Sequence, residues 1–356
     1  MMGLIVNPVA GLGGPVGLKG TDNMVEKALQ KGGTPVSEDK AVRMLSRLPD
    51  TVTVYTCGGS MGEKAAKKAD ISYKVVYTPC EPTTREDTMK AAKILKKKVD
   101  LLLFCGGDGT AQDIFISSPS IPVLGIPAGV KMYSSCFAVN PESAAETAQS
   151  FLDGSVTVVS CEILDIDEEL YRQGVLSVRL HGYLTVPHNT QVQSSKQVIP
   201  DGEYQKRAIG AFITELIRDD TMYILGAGTT VKAIGDCLRI DKTLLGVDVI
   251  KGKTLIKKDC SEKDLLSVCK KEEKVKIIVS LIGGQGFIFG RGNQQISPAV
   301  IQSVGLDNII VVATPEKLMA TPVLHVDTGD CAMDNTLKGE HLVVCGYQIA
   351  VRKQVV

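Results

Sequence analysis

The sequence has no excess charge of either sign and few aromatic residues. Of its 356 residues, 40 are basic and 40 are acidic, so the formal net charge at pH 7 is zero. Surfaces that bind nucleic acid or an anionic membrane usually carry an excess of Lys and Arg, so we expect neither partner. Aromatic residues make up only 4% of the chain, which disfavours a surface that inserts into a membrane.

Long apolar runs, paired cysteines and clustered histidines are also missing from the sequence. No apolar run approaches the roughly 18 residues of a membrane span, and the first residues show no basic segment typical of a signal peptide. The ten cysteines form no Cys-x-x-Cys pair and the four histidines are scattered, so no protein metal site is predicted. We therefore expect a cytoplasmic protein with reduced cysteines.

Several familiar catalytic patterns do not occur. No Ser–His–Asp or Cys–His set can be recognised, and no Gly-x-x-x-x-Gly-Lys-Ser/Thr loop is present. The Gly-x-Gly-x-x-Gly motif of dinucleotide-binding folds does not follow the first apolar run. These absences exclude a P-loop enzyme and give no support to nucleophilic catalysis.

Short apolar runs alternate with helical patterns in the first part of the chain. The runs predicted as strands lie at residues 3–6, 51–55, 73–77, 101–104 and 123–126. Helical patterns at 37–48, 84–97 and 141–152 follow some of them, with Ser37 and Asn140 as predicted N-caps. This alternation predicts a Rossmann-like parallel sheet domain with helices on both faces, which we place at residues 1–150.

The pattern changes after residue 150. Residues 155–167 and 174–186 are rich in β-forming residues and predict a hairpin, which we place at the start of a second domain spanning 151–356. Strands at 222–225, 245–250, 276–282 and 308–313 alternate with helices, one of them opened by a capping box at Ser261 and Asp264. The second domain is therefore predicted to be mixed α/β with a β-rich segment.

The most informative motif is Gly106-Gly107-Asp108-Gly109-Thr110, which follows the apolar run at 101–104. Glycines let the backbone approach a ligand closely, and free amides at the start of a helix can bind phosphate oxygens. Asp108 could then act on a hydroxyl or a metal ion, with Thr110 capping the following helix. The motif predicts phosphoryl transfer; the alternative is a glycine turn in which the aspartate caps a helix.

Two further loops follow strands in the first domain. The Asn7-Pro8-x-x-Gly11 loop continues to Asp22 and offers Asn7, Lys19 and Asp22 to a phosphate, hydroxyl or metal. A flexible loop is the alternative. Lys131, in a loop after the run at 123–126, is a candidate cation for a transferring phosphate, although an isolated lysine is usually a surface residue.

Two glycine-rich segments stand out in the second domain. Gly228, Thr229 and Thr230 follow the run at 222–225 and could form a phosphate or ribose cradle. In the glycine-rich segment 282–293, Arg291 offers a planar group for phosphate and Asn293 an amide for a hydroxyl or base edge. The alternative for this segment is a spacer.

The order of these motifs resembles that of a kinase superfamily. Asn7-Pro8-x-x-Gly11 followed by Gly106–Thr110 is similar to the motif pair of NAD kinases, diacylglycerol kinases and sphingosine kinases. Lipid kinases carry a Gly-Thr-Gly-Asn-Asp-type sequence after the proline, whereas this chain has Pro127-Ala-Gly-Val-Lys-Met132. With the glycine-rich segments 283–287 and 290–298, it resembles the archaeal and bacterial ATP-NAD kinase branch that includes the acetoin-catabolism X proteins.

The resemblance implies an activity and roles for residues. Asp108 matches the aspartate that helps activate the NAD 2′-hydroxyl, as a base or through Mg²⁺. Gly106, Gly107, Gly109 and Thr110 match the loop that binds nucleotide phosphate. ATP (or polyphosphate) and NAD would be the substrates, NADP⁺ the product, and the protein a homo-oligomer.

The chain also departs from that family, so other functions stay open. Asn140-Pro-Glu142 only loosely resembles the Asn-Glu or Asn-Asp pair with which NAD kinases hold the dinucleotide. The Gly228–Thr230 loop is also similar to the phosphate loop of ribose-5-phosphate isomerases. The alternatives are a kinase for another polyol, such as a sugar or a lipid headgroup, and a non-catalytic sensor of NAD or another nucleotide.

Overall fold

The computed structural model describes residues 1–14, 16, 25–117, 120–129, 132–166, 178–188, 202–282 and 285–356. The chain divides into two compact units, one comprising residues 1–12 and 20–195 and the other residues 13–19 and 196–356. Each unit has its own hydrophobic core. No helix in these described ranges is both long and apolar enough to cross a bilayer.

The first unit is built on a five-stranded parallel sheet with the strand order β3-β2-β1-β4-β5. Its strands are β1 (Met2–Val6), β2 (Thr53–Cys57), β3 (Ser72–Tyr77), β4 (Leu101–Gly106) and β5 (Val123–Pro127). Its helices are α1 (Val25–Gln30), α2 (Ser37–Leu45), α3 (Glu63–Lys68), α4 (Arg85–Leu95), α5 (Asp108–Ile116) and α6 (Pro141–Leu152). The predicted Rossmann-like sheet is confirmed.

The strand order reverses between β1 and β4. From β1 the chain builds outward to β2 and β3, and it then returns to the other side of β1 to build β4 and β5. In open α/β sheets, ligands bind at the carboxyl ends of the strands that flank such a reversal. The fold therefore selects the loops after β1 and β4 as the candidate site of this unit.

Helix starts follow from short-range hydrogen bonds. Asn140 Oδ1 accepts from the Ser143 amide at 2.7 Å and Pro141 is the first residue of α6, as the sequence indicates. Two predicted caps are wrong. Ser37 is itself the first residue of α2, which begins after Val36. Thr110 lies inside the first turn of α5, because that helix begins after Gly107.

The β-rich segment forms the predicted hairpin, with antiparallel strands β6 (Thr157–Ile166) and β7 (Val178–His188). Ile163 and Leu184 are buried in the core of the first unit. The hairpin that we expected at the start of the second domain therefore packs with the first sheet. Two strands alone have too little apolar surface for a core of their own.

The second unit contains a mixed seven-stranded sheet with the order β10-β9-β8-β11-β13-β15-β16 and a small sheet of β12 and β14. The strands are β8 (Met222–Leu225), β9 (Asp248–Lys251), β10 (Thr254–Lys257), β11 (Val275–Ser280), β12 (Phe287–Phe289), β13 (Ile309–Val312), β14 (His325–Val326), β15 (Gly339–Gly346) and β16 (Ile349–Val355). The helices are α7 (Glu203–Leu216), α8 (Thr229–Cys237), α9 (Glu262–Lys271), α10 (Pro298–Val304), α11 (Pro315–Ala320) and α12 (Cys331–Leu337). The predicted mixed α/β class is confirmed. The capping box of Ser261 and Asp264 opens α9.

Most cysteines behave as small buried hydrophobes. Cys105 and Cys345 lie in the two cores, as their apolar surroundings in the sequence predict, whereas Cys80 and Cys331 are exposed. Burial raises the pKa of the Cys105 thiol to about 12, so that it stays protonated at neutral pH.

A buried lysine and aspartate pair lies beside β9. Lys242 Nζ donates to the carbonyl oxygens of Thr243 (2.7 Å) and Gly246 (3.1 Å) and lies 3.8 Å from the Asp248 carboxylate. Burial lowers the pKa of Lys242 from 10.5 to about 8, because desolvation outweighs the attraction of Asp248.

We expect Lys242 to make stability pH-dependent. Between pH 8 and 10.5 the unfolded chain binds a proton that the folded chain has released, so the free energy of unfolding rises with pH across this window. The shift corresponds to about 3 kcal/mol. Urea unfolding of wild type and Lys242→Met across the window isolates this contribution, since the titration of cysteines is common to both. A constant difference between the two would contradict it.

Candidate active site

The loops after β1 and β4 contact each other at the strand-order reversal. The Asn7 amide donates to the Cys105 carbonyl oxygen at 2.9 Å, and Asn7 Nδ2 donates to Thr110 Oγ1 at 3.0 Å. Asn7 Oδ1 accepts from the Val9 amide at 3.2 Å, which fixes the orientation of the side-chain amide. Two motifs that lie about a hundred residues apart in sequence are thus joined by a side-chain hydrogen bond.

Asp108 is the first residue of α5, and its carboxylate is held from outside the helix. One oxygen accepts from the Tyr133 amide at 2.6 Å and the other from the Ser134 amide at 3.0 Å. The N-cap of α5 is Gly107. These hydrogen bonds are therefore not those of an aspartate that caps its own helix. They join α5 to the segment that follows β5.

The start of α5 has the geometry of an anion-binding site. The first backbone hydrogen bond of the helix runs from the Ala111 amide to the Gly107 carbonyl oxygen. The amides of residues 108–110 come before it and take no part in the hydrogen bonding between successive turns of the helix. The helix dipole adds a partial positive charge at this end. Gly109 is exposed and Gly107 is half-buried, which leaves the backbone here open to a ligand.

Glycine is required at two positions where these loops pack together. A Cβ on Gly106 would lie 2.4 Å from Thr110 Oγ1, and one on Gly11 would lie 2.3 Å from the Ala128 carbonyl oxygen. Gly11 also has a φ of +78°. The amides of Ala128 and Gly129 both donate to the Gly106 carbonyl oxygen, at 2.9 and 3.1 Å. The third predicted loop therefore meets the other two, although Lys131 lies outside the described residues, as do Lys19 and Asp22.

The donor set at this edge fits a magnesium ion carried by phosphate. Among the residues that the structure describes, no group of three or more His, Cys, Asp or Glu side chains could hold a metal ion. Mg²⁺ in phosphoryl-transfer enzymes is held by one or two carboxylates together with substrate phosphates and water. Asp108 is a carboxylate of this kind.

Asn140 and Glu142 have structural roles. Asn140 caps α6, and Glu142 accepts two hydrogen bonds of 3.0 Å from the Arg43 guanidinium on α2. The sequence Asn140-Pro-Glu142 is therefore accounted for by a helix start and an ion pair between helices. Its loose similarity to the dinucleotide-holding pair of NAD kinases gains no support from these contacts.

In the second unit, the predicted cradle lies at the carboxyl end of β8. Gly228, with a φ of +113°, precedes α8, and its amide donates to the Leu244 carbonyl oxygen at 2.8 Å. Thr229 is exposed and Thr230 is buried. Lys317 Nζ, on α11, donates to Thr230 Oγ1 at 3.3 Å and is itself buried. Sequence reasoning missed Lys317, because nothing in its local sequence separates it from a surface lysine.

Arg291 and Asn293 are not available as predicted. Arg291 is buried, Nη1 donates to Asp327 Oδ2 at 2.6 Å, and the guanidinium lies 4.4 Å from the Phe287 ring centroid. Asn293 uses both ends of its amide inside its own turn, accepting from the Gly290 amide and donating to the Ile288 carbonyl oxygen. Within the described part of this segment, both side chains are thus engaged by contacts inside the protein.

We expect Arg291→Met to destabilise the protein by about 3 kcal/mol or more, because it leaves the buried Asp327 carboxylate without its ion-pair partner. Arg291→Met combined with Asp327→Leu removes both charges and should recover most of that loss. Denaturant unfolding of the single and double variants measures this. A single variant as stable as wild type would show that the pair has no structural role.

Comparison with models of known protein families supports the resemblance that the loop motifs indicate. Residues 2–156 match the model of the ATP-NAD kinase N-terminal domain, and residues 218–352 match that of the ATP-NAD kinase C-terminal domain. A search of curated proteins finds no match.

Solved structures give weaker matches. A diacylglycerol kinase from Bacillus anthracis str. Sterne is 18% identical with a TM-score of 0.25, and the match covers 47% of this chain and 46% of that one. Another structure from the same organism, named provisionally as the same kind of kinase, is 17% identical with a TM-score of 0.24 and coverages of 47% and 43%. Each match thus spans less than half of the solved chain, and scores of this size do not establish a shared fold. The two domain models together cover most of the sequence, and the chain therefore belongs to the ATP-NAD kinase family of phosphotransferases.

Proposed function

We propose that this protein is an NAD kinase, which transfers a phosphoryl group from ATP or polyphosphate to the 2′-hydroxyl of NAD and so forms NADP⁺. The observation that carries the proposal is the Asp108 carboxylate, fixed by two backbone amides at the strand-order reversal beside the start of α5. Family membership supports the same reaction.

Asp108 is suited to accept the proton of the acceptor hydroxyl. Each of its oxygens accepts a hydrogen bond from one backbone amide, and each can accept a further hydrogen bond from a substrate hydroxyl. As the acceptor oxygen bonds to the transferred phosphorus, the bond from phosphorus to the donor's leaving oxygen breaks. The acceptor proton passes to Asp108. The amides keep the carboxylate in place throughout, so little reorganisation is needed.

The donor phosphates are assigned to the start of α5. The amides of residues 108–110 and the helix dipole favour negatively charged oxygens, and phosphoryl transfer depends mainly on position and charge neutralisation. Mg²⁺, when bound, would neutralise phosphate charge, and Asp108 would be its protein ligand in the alternative in which the aspartate activates the hydroxyl through the metal rather than as a base. Asn7 would position Thr110 beside these oxygens. Lys19 and Lys131 remain proposed contacts of a phosphate, and Asp22 remains a proposed contact of a hydroxyl or a metal.

The loop of Gly228, Thr229 and Thr230 is proposed to bind a phosphate or ribose of a substrate. Its support is the exposed Thr229 at the start of α8 and the buried Lys317 ammonium beside Thr230. A buried ammonium raises the local positive potential, because the charge is poorly screened away from water. We also propose small-molecule nucleotides as the ligands, a cytoplasmic location and a homo-oligomeric state.

We expect Asp108→Asn to lower kcat by about 10²–10⁴-fold with a much smaller effect on KM, because an amide cannot take up the acceptor proton. Asp113→Asn is the matched control, since Asp113 lies on the same helix and pairs with Arg85 on α4. The assay measures NADP⁺ with purified protein, ATP or polyphosphate, Mg²⁺ and NAD⁺. Turnover of Asp108→Asn within about threefold of wild type would exclude the proposed role.

The same assay separates the alternative functions. Wild type that binds NAD⁺ and ATP but forms neither NADP⁺ nor ADP behaves as a sensor. ADP released only when another polyol is added identifies a kinase with a different acceptor. Either result rejects NAD as the acceptor.

We expect Lys317→Met to raise the KM of one nucleotide substrate about tenfold or more, because the loop loses the poorly screened positive charge beside Thr230 that attracts a substrate phosphate. Lys232→Met is the control, since Lys232 lies on α8 but pairs with Asp236 at 2.7 Å near solvent. Steady-state kinetics with each substrate varied in turn identifies which one is affected. Equal KM values in the two variants would show that Lys317 does not contribute to substrate binding.

A further inference from the structure

Asp108 depends for its position on a segment that is anchored on both sides. The segment 132–138, which supplies both amides to the carboxylate, runs between β5 and the β6–β7 hairpin. On the β5 side, the Gly125 amide donates to the Cys136 carbonyl oxygen at 2.7 Å and the Ala138 amide donates to the Gly125 carbonyl oxygen at 2.9 Å. Backbone pairing of this kind fixes that end of the segment.

On the hairpin side, Ser134 and Ser135 hydrogen-bond to β6, and the Ser134 hydroxyl group makes two of these bonds. Ser134 Oγ accepts from the Leu164 amide at 3.0 Å and donates to the Leu164 carbonyl oxygen at 3.3 Å. The Ser134 side chain is fully buried, so water cannot replace these bonds. The amide of the same residue donates to Asp108. One serine therefore links β6 to the carboxylate.

The hairpin also contacts the helix that carries Asp108. Gly182, in β7, lies against the Phe115 ring of α5, and a Cβ at this position would come within 2.3 Å of the ring. The hairpin thus contacts both the body of α5 and the segment that holds its first side chain. Together, these contacts restrict the position of the Asp108 carboxylate relative to the start of α5 more than its two backbone hydrogen bonds would alone.

We propose that Ser134 is a positioning residue for the phosphoryl transfer, acting through the two amides that hold Asp108 and anchored on Leu164 of the hairpin. The inference rests on the proposed function for its kinetic consequence, but the contact itself does not depend on turnover. Loss of the hydroxyl lets the segment shift, and a displacement of about 1 Å in a catalytic group can lower a rate about 10²-fold.

Ser134→Ala tests the proposal, with Ser135→Ala as the matched control. Ser135 is a neighbouring buried serine whose hydroxyl donates to the Glu162 carbonyl oxygen on the same strand. Its backbone bond to Glu162 survives the substitution. We expect kcat to fall about tenfold or more in Ser134→Ala, with KM values within about twofold of wild type, and to stay within about twofold in Ser135→Ala.

A double variant separates positioning from general damage. In an Asp108→Asn background, Ser134→Ala should lower the remaining rate by less than about twofold, because no catalytic carboxylate is left to position. If Ser134→Ala lowers the rate equally in both backgrounds, or no more than Ser135→Ala does, the proposal is overturned. Should Ser134→Ala not fold, Ser134→Cys keeps a weak donor and acceptor and should give a smaller loss of kcat in the same pattern.

Hydrogen exchange gives a readout that does not require activity. We expect the amides of Tyr133 and Ser134 to exchange about tenfold faster or more in Ser134→Ala and in Asp108→Ala, but not in Ser135→Ala. If wild type makes no NADP⁺ and this exchange pattern holds, the proposed function fails while the positioning contact stands. Unchanged exchange in Ser134→Ala would overturn the contact whatever the activity.

Discussion

The parallel pairing of β1 with β4 is the constraint on which the rest of the candidate site depends. The register runs without a shift from Met2 opposite Leu101 to Val6 opposite Cys105. It therefore brings the residues that follow, Asn7 and Gly106, to the same edge of the sheet. A slip of one residue would turn every side chain to the opposite face and separate the two loops. All five residues of β1 are buried, so such a slip would disrupt the packing on both faces of the strand.

Sequence reasoning found the parts of the site that depend on local signals. The apolar run before Gly106 predicts a buried strand, and the alternation of elements predicts the parallel sheet whose edge carries Asn7 and Asp108. These features are encoded over short stretches, by apolar patterning and by glycine. The wrong caps at Ser37 and Thr110 differ by only one to three residues from the true helix starts, because several residues in each first turn could serve.

The rest of the site depends on contacts between residues far apart in sequence. Arg291 is of a residue type that often binds phosphate. Its positive charge, however, is neutralised within the core by Asp327, which lies 36 residues away in the sequence. Lys317 and Ser134 have no local signal at all, because their partners, Thr230 and Leu164, are set by how the elements pack. The hairpin was expected at the start of a new domain for a similar reason. Its alternating pattern indicates that one face is buried, but it does not indicate which part of the protein covers that face.

The distribution of cysteines between core and surface has a practical consequence for studying the two units. A thiol reacts as the thiolate, and burial keeps most of these thiols protonated and out of reach of reagents. Cys80 in the first unit and Cys331 in the second are the exposed ones. A maleimide dye should therefore label one position in each unit of the unmodified protein before it reaches the others.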